Sequence, residues 1–305
     1  MKFLVTGGAG FIGSHITERL LSDGHQVRIL DDFSTGKRDN IPVSDAVSVI
    51  EGDVGDFDTV RDWMQGIDIV YHEAAIASVP ETVGDPLGSE RTNYRGTLNV
   101  LEAARQADVR RVIFAGSAAV YGDLPELPKS EDMPVRPLSP YAVDKLASEH
   151  ACRVYAQLYG LETVVLRYFN VFGPRQDPSS PYSGVISIFA DSLGKGKQPN
   201  IYGDGEQTRD FVYVGDVVAA NIRAATAPAA AGRTINVATG STISINQLLR
   251  TLCRIQDAPF DPAYLPAREG DIRHSCANIS QASRLLDWAP AVGFETGLRK
   301  LLESE

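Results

Sequence analysis

The chain has 305 residues, 43% of them apolar and 22% charged, enough for one large domain or two moderate ones around a sizeable core. Acidic side chains number 39 against 29 basic ones, a formal charge of −10, so the basic excess that a phosphate backbone demands is missing and nucleic acid is not an expected partner. Three scattered cysteines, Cys152, Cys253 and Cys276, suggest neither a disulfide framework nor a zinc site, and no window approaches eighteen uninterrupted apolar residues. A cytoplasmic protein without metal or membrane segment is the expectation, with Met1 to Gly13 read as a strand and turn rather than a signal peptide.

Short apolar runs rich in β-branched and aromatic residues occur at Lys2 to Thr6, Gln26 to Leu30, Val47 to Glu51, Ile67 to His72, Arg111 to Ser117 and Thr163 to Tyr168. Segments with helical spacing lie between them, such as Ile12, Ile16, Leu20 and Leu21, or Thr97, Leu98 and Leu101. Strand–helix alternation of this kind predicts an α/β fold with a doubly wound parallel sheet. The pattern loosens after Arg167: Gly173 to Gly184 is rich in Pro, Gly and Ser, and Gly203 to Gly205 reads as a tight turn. Asp210 to Thr226 reads as a strand and an Ala-rich helix, and Arg233 to Val237 as a strand returning to the large sheet. The division expected is residues 1–169 plus about 210–240 in the large domain, and about 170–209 plus 241–305 in a smaller, discontinuous lobe.

The strongest local signal is Thr6-Gly7-Gly8-Ala9-Gly10-Phe11-Ile12-Gly13, set between the first strand and an amphipathic helix. Backbone N–H groups and the helix dipole can hold a pyrophosphate there, and Gly7, Gly10 and Gly13 supply turn conformation and close packing. Asp31 and Asp32 end the next strand, where a carboxylate accepts ribose hydroxyls and repels a 2′-phosphate, so NAD is favoured over NADP. Asp53 reads equally as an adenine contact or an ordinary turn aspartate. Further along, Ser139 and Pro140 open a helix that carries Tyr141 and Lys145 on one face. With 11 tyrosines and 7 lysines, that spacing arises by chance about 0.25 times, so the pair alone decides nothing. Ser117, at the carboxyl edge of the sheet, completes a constellation: a phenol whose pKa is lowered by an ammonium and a cationic nicotinamide, sharing a substrate hydroxyl with a serine.

Thr6 to Gly13, Asp31, His72-Glu73-Ala74-Ala75, Ser117 with Val120-Tyr121-Gly122, and Tyr141-x-x-x-Lys145 together resemble the extended short-chain dehydrogenase/reductase family, and within it the nucleotide-sugar epimerases. Leu166 to Pro174, Tyr202 to Gly205, Arg209-Asp210-Phe211 and Arg268 to Asp271 continue the resemblance in order, so nearly the whole chain is covered. The resemblance implies a Rossmann-type fold, bound NAD, a UDP-sugar substrate and a homodimer. It implies that Tyr141, Ser117 and Lys145 are catalytic, and that Phe11, Ile12, Val54, Ala74, Ala75, Asn93 and Tyr168 join the glycines and aspartates around NAD. On the substrate side it implies Ser78, Asn170, Val185, Ile186, Tyr202 against uracil, and Arg209, Arg268 and Asp271 near the phosphates. Dehydratases and decarboxylases of this kind carry acidic groups after the serine; here Ala118 and Ala119 stand there, which favours simple 4-epimerisation. Ser275 falls where the family limits space beside the sugar 2-substituent, and a serine admits an acetamido group. UDP-GlcNAc and UDP-GalNAc are therefore the expected substrates, with UDP-Glc and UDP-Gal beside them. The rival expectations are a UDP-glucuronate 4-epimerase or another NAD-dependent nucleotide-sugar converter, and a non-catalytic NAD-binding regulator, which would not need Ser117, Tyr141 and Lys145 together.

Overall fold

The computed structural model describes residues 1–176, 184–267 and 272–303. Strands Lys2–Thr6 (β1), Gln26–Asp31 (β2), Val47–Glu51 (β3), Ile69–His72 (β4), Arg111–Ser117 (β5), Glu162–Tyr168 (β6) and Arg233–Val237 (β7) form one sheet in the order β7-β6-β5-β4-β1-β2-β3. Every pairing is parallel, with Phe3 opposite both Val27 and Ile69. This is the Rossmann-type arrangement: the order reverses between β1 and β4, and the crevice beyond their carboxyl ends is where such sheets take ligands.

Alternate side chains of the central strands β1, β2, β4, β5 and β6 feed two separate cores, which is why these strands are apolar nearly throughout. Phe3, Val5, Ile29, Tyr71, Ile113 and Leu166 face one layer, where Phe11–Ser22 (α1) contributes Ile16 and Leu20. Leu4, Leu30, Val70, Val112 and Phe114 face the other, covered by Phe57–Met64 (α2), Gly96–Gln106 (α3) and Pro140–Tyr159 (α4). Helix α4 starts as its sequence dictates: the Ser139 hydroxyl accepts from the Ala142 amide at 3.2 Å, Pro140 opens the first turn, and Gly160 ends the helix at φ 71°.

A third core joins Phe172, Phe189, Phe211, Leu248, Leu252 and Leu298. They come from the paired short strands Asn170–Phe172 and Phe211–Tyr213 and from helices Val185–Gly194 (α5), Ile245–Ile255 (α7) and Phe294–Leu302 (α9). Helix Val214–Thr226 (α6) returns the chain to the large sheet, where Val217 and Ala220 pack beside Ile235 of β7. Ala282 and Leu286 of Ser280–Leu286 (α8), with Trp288, join that same first core rather than the third. Among the described residues no helix is long and apolar enough to cross a membrane.

Candidate active site

The glycine loop closes the switch point. Gly7 sits at φ +69°, and a Cβ there would lie 2.7 Å from the Ala74 amide nitrogen; at Gly13 it would overlap the Gly7 carbonyl oxygen. Both glycines thus let backbone meet backbone, at the strand ends and at the start of α1. No side chain caps α1 and no acid occupies its first turn, so the Phe11, Ile12 and Gly13 amides lack acceptors within the helix and face the crevice as an anion cradle. The nearly buried Asp31 carboxylate accepts from the Ala9 amide at 2.8 Å and the Phe33 amide at 2.9 Å, which fixes its orientation while burial pushes its pKa up. Asp32 accepts from the Ser34 amide and hydroxyl. Asp53 accepts from the Gly55 amide and pairs with Arg91 at 2.6 Å, so both of its oxygens already have protein partners. Val54 is buried and its carbonyl accepts from Asn99; Asn93 sits in a π-helical turn, Glu90–Arg95, and binds both polar groups of the Ile76 backbone. Glycine loop, unpaired helix start and fixed carboxylate fit a dinucleotide.

A cavity of about 330 Å³ opens at the same edge, lined by Phe11 and Ile12 on one side and by Ser117, Tyr141 and Lys145 on another. Ala75, Tyr168, Asn170, Val185 and Ile186 also line it. Lys145 is 2% exposed; its ammonium donates to the Ala115 carbonyl at 2.8 Å and lies 4.8 Å from the Phe114 ring centre and 5.8 Å from that of Tyr141. Burial pulls the Lys145 pKa down to about 8, against the pull of Glu73 and Glu149. The Ser117 hydroxyl accepts from the Ala119 amide at 3.2 Å and is a hydrogen-bond partner of the Tyr141 phenol. The phenol of the ligand-free protein is held above its ordinary range. Burial pushes its pKa up, Glu73 pushes it further, only Ser117 opposes them, and the Lys145 ammonium contributes no resolved lowering. The protein's own groups thus favour the protonated phenol, and a cation entering the cavity would oppose them.

Other expected positions lie around this centre. Ala74 donates to the Thr6 hydroxyl at 3.4 Å, and Ser78 caps the short helix Val79–Gly84 next to the cavity residue Ala77. Tyr202, Arg209 and Ser275 are not among the lining residues: Arg209 donates to the Thr208 carbonyl, and the Ser275 amide bonds the Thr208 carbonyl at 3.1 Å, so Ser275 lies beside the strand that carries Arg209. Arg268 and Asp271 lie outside the described residues.

The sequence reading assigned no task to Glu73, Phe169, Phe172, Gln176 or Phe211, all of which line the cavity. Glu73 carried a signal nonetheless, an acid directly after a buried strand at the carboxyl edge of the sheet. Behind it, His72 is neutral, its pKa lowered by burial to about 3. Thr97 donates to the Asn93 carbonyl at 2.6 Å and so accepts from His72 Nε2, which leaves Nδ1 to accept from Thr6 at 2.7 Å. This chain ties the glycine-loop strand to α3.

Residues 3–238 match the model of the NAD dependent epimerase/dehydratase family. A UDP-glucose 4-epimerase from Mycolicibacterium smegmatis is 41% identical, over 99% of this chain and 98% of that protein. A UDP-glucuronic acid decarboxylase from Xenopus tropicalis is 34% identical over 99% of this chain and 71% of that one. The crystal structure of a UDP-N-acetylglucosamine 4-epimerase from Methanobrevibacter ruminantium, in complex with UDP-N-acetylmuramic acid, superposes with a TM-score of 0.96 at 40% identity, covering 99% of this chain and 97% of that one. With matches of this extent and a glycine loop built for a dinucleotide, the chain belongs to the NAD-dependent epimerase/dehydratase family.

Proposed function

We propose that the protein is an NAD-dependent 4-epimerase of UDP-sugars, with UDP-GlcNAc and UDP-GalNAc as its main pair and UDP-Glc and UDP-Gal also accepted. One observation carries this reading: Ser117, Tyr141 and Lys145 converge on a single cavity at the cofactor crevice, and the two residues after Ser117 are alanines. The glycine loop, the α1 amides and Asp31 would hold NAD, which supplies hydride uptake and return when bound. Tyr141 takes the proton of the sugar 4-hydroxyl and later gives it back, Ser117 holds that hydroxyl in line, and the buried Lys145 ammonium steadies the phenolate charge. The 4-keto sugar turns over about its diphosphate linkage between the two transfers, so the returned hydride reaches its other face. Ala118 and Ala119 offer no group to move a proton at C5 or C6, which favours simple 4-epimerisation over dehydration or decarboxylation. In this reading Asn170, Val185, Ile186, Tyr202 and Arg209 hold the nucleotide sugar between the two lobes, with Arg268 and Asp271 assigned by sequence alone.

A cytoplasmic homodimer completes the reading. The exposed apolar side chains of Val83 and Leu87 with Val154, Leu158 and Tyr159 of α4 support the dimer. Proton NMR of the purified protein with UDP-GlcNAc, UDP-Glc and UDP-glucuronate in separate tubes tests the function. New galacto-configured signals without added cofactor are expected with the first two; conversion of the glucuronate alone would transfer the assignment to a uronate epimerase. Ser275→Tyr should remove acetamido-sugar turnover selectively, and equal loss of both activities would refute the pocket assignment.

A further inference from the structure

Glu73 lines the same cavity as Ser117, Tyr141 and Lys145, yet the reaction outlined above leaves it without a task. Its carboxylate is held from behind. The Tyr168 hydroxyl donates to Glu73 Oε1 at 2.9 Å, and Asn221 Nδ2 donates to the Tyr168 oxygen at 2.8 Å and to the Val217 carbonyl at 2.9 Å. This relay runs toward Glu73 while Glu73 is an acceptor; a protonated Glu73 would leave the phenol its second acceptor, Asn221 Oδ1 at 3.1 Å.

The titratable groups facing Glu73 are few. Tyr141 and Lys145 approach from α4, with Asp144, Glu149 and Cys152 behind Lys145; Tyr168 approaches from β6, and Tyr71 and His72 precede Glu73 on β4. Glu149 is committed to Arg167, and Asp144 accepts from Ser89. Burial pushes the three tyrosines up and keeps His72 uncharged, so near neutrality the cavity's charges are Lys145 and the ionised share of Glu73.

We propose that Glu73 is a positioning residue of the epimerase site, whose carboxylate keeps the Lys145 ammonium charged and sets the negative field that Tyr141 and a nicotinamide ring meet. The inference rests on the functional reading above. Burial lifts Glu73 to about 7 and lowers Lys145 to about 8, while each favours the charged form of the other. Glu73 also opposes ionisation of Tyr141. Removing the charge by Glu73→Gln should thus lower two pKa values together: the ammonium loses its partner, and the phenol loses a repelling neighbour.

The test is the pH profile of kcat/KM for Glu73→Gln, Glu73→Asp and the unchanged enzyme on whichever UDP-sugar the NMR assay identifies. Both limbs of the Gln profile should move toward acid by about one pH unit, roughly tenfold in rate at a pH on either limb, with most of the shift reversed by Asp. Competition binding of NAD⁺ against NADH supplies a readout independent of turnover. The preference for the cationic form should fall about tenfold in the Gln variant, because a carboxylate lining the cavity would favour the oxidised cofactor. An unmoved profile with an unmoved binding ratio, or a uniform loss at every pH, overturns the proposal. Should Glu73→Gln fail to fold, Tyr168→Phe decides: without the hydroxyl that favours the carboxylate, Glu73 takes up its proton more readily, and the same acid shift must appear, or the proposal falls. An unchanged enzyme that binds NAD but converts no UDP-sugar removes the epimerase reading instead, and the binding ratio still reports on Glu73.

Discussion

Replacing Gly7 by alanine separates the conformational role of this residue from its contact role. The backbone stands at φ +69°, where a Cβ costs on the order of 1 kcal/mol. The added methyl would also lie 2.7 Å from the Ala74 nitrogen and 2.8 Å from its Cα, both backbone atoms that cannot swing aside. Relief requires the ends of β1 and β4 to part by several tenths of an ångström, an overpacking cost of about 1–3 kcal/mol. The total, about 2–4 kcal/mol, corresponds to a Tm lower by roughly 3–6 °C for a chain of this length at about 2.1 cal/mol/K per residue. Gly24 provides the control, since it has φ +80° but no neighbour within 4 Å of an added Cβ. Gly24→Ala should therefore lose only the conformational part, roughly 1–2 °C, and keep its cofactor. Thermal melts with and without NAD, together with the nucleotide released on denaturation, read both effects. Equal melting losses in the two variants, with full cofactor retention in Gly7→Ala, would refute the argument that Gly7 is there for close approach.

The remaining expectations follow from groups already described. Tyr141→Phe should lower turnover on the order of 10²-fold or more while the protein still carries its nucleotide, as single-turnover kinetics and nucleotide release would show. In the unchanged enzyme, kcat/KM should decline above about pH 8, because Lys145 is charged only below that value; a rate still flat at pH 9 would contradict the role given to its ammonium. His72 has its folded pKa depressed from 6.5 to about 3, so the unfolded chain binds more protons between those values and stability, full above pH 6.5, should fall by up to about 1.4 kcal/mol per pH unit below it. His72→Asn should flatten that part of the stability curve, measured by urea unfolding between pH 7 and 5. Glu149→Gln should cost about 3–5 kcal/mol, because Arg167 is left buried without its compensating charge, and a melt unchanged within 1 °C would refute the pairing argument.

The large sheet was legible because its central strands are buried on both faces. Leu4, Val70 and Val112 serve one core while Phe3, Tyr71 and Ile113 serve the other, so β1, β4 and β5 read as nearly continuous apolar runs. Only the ends moved: β4 starts at Ile69, since Ile67 instead donates to the Met64 carbonyl and closes the turn after α2. The helix carrying Tyr141 and Lys145 was legible from its cap and first proline. Long-range contacts were not. The pairing of Asn170–Phe172 with Phe211–Tyr213, the place of Ser275 beside Thr208, and the packing of Ala282 and Trp288 on the sheet each join segments tens of residues apart that carry no local pattern. Nor was the state of Tyr141 legible, because helical spacing places an ammonium near a phenol but does not weigh it against burial and Glu73.

Helix α4 shows how burial separates structural charge from chemical charge. Its Glu149 meets Arg167 of β6 in three hydrogen bonds of 2.8 to 3.2 Å, with both side chains almost wholly buried, and the pair raises the Arg167 pKa despite its desolvation. One turn earlier, Lys145 is as deeply buried, but among the described residues its ammonium donates to no carboxylate; a backbone carbonyl and two ring faces are its contacts. A core selected for stability alone would give that cation a hydrogen-bonded carboxylate, as it gives Arg167, or replace it with a hydrocarbon side chain, since a buried ammonium without a hydrogen-bonded counter-charge costs several kcal/mol. Its proton is correspondingly loose, with a pKa near the pH at which a phenol must be made to ionise. The two cations sit on the same helix–sheet seam in similar solvent exclusion, so environment alone does not account for the difference. What differs is that Lys145 opens onto the cavity that Tyr141 and Ser117 share, where an unsatisfied charge can act on a bound molecule instead of on a neighbour in the fold.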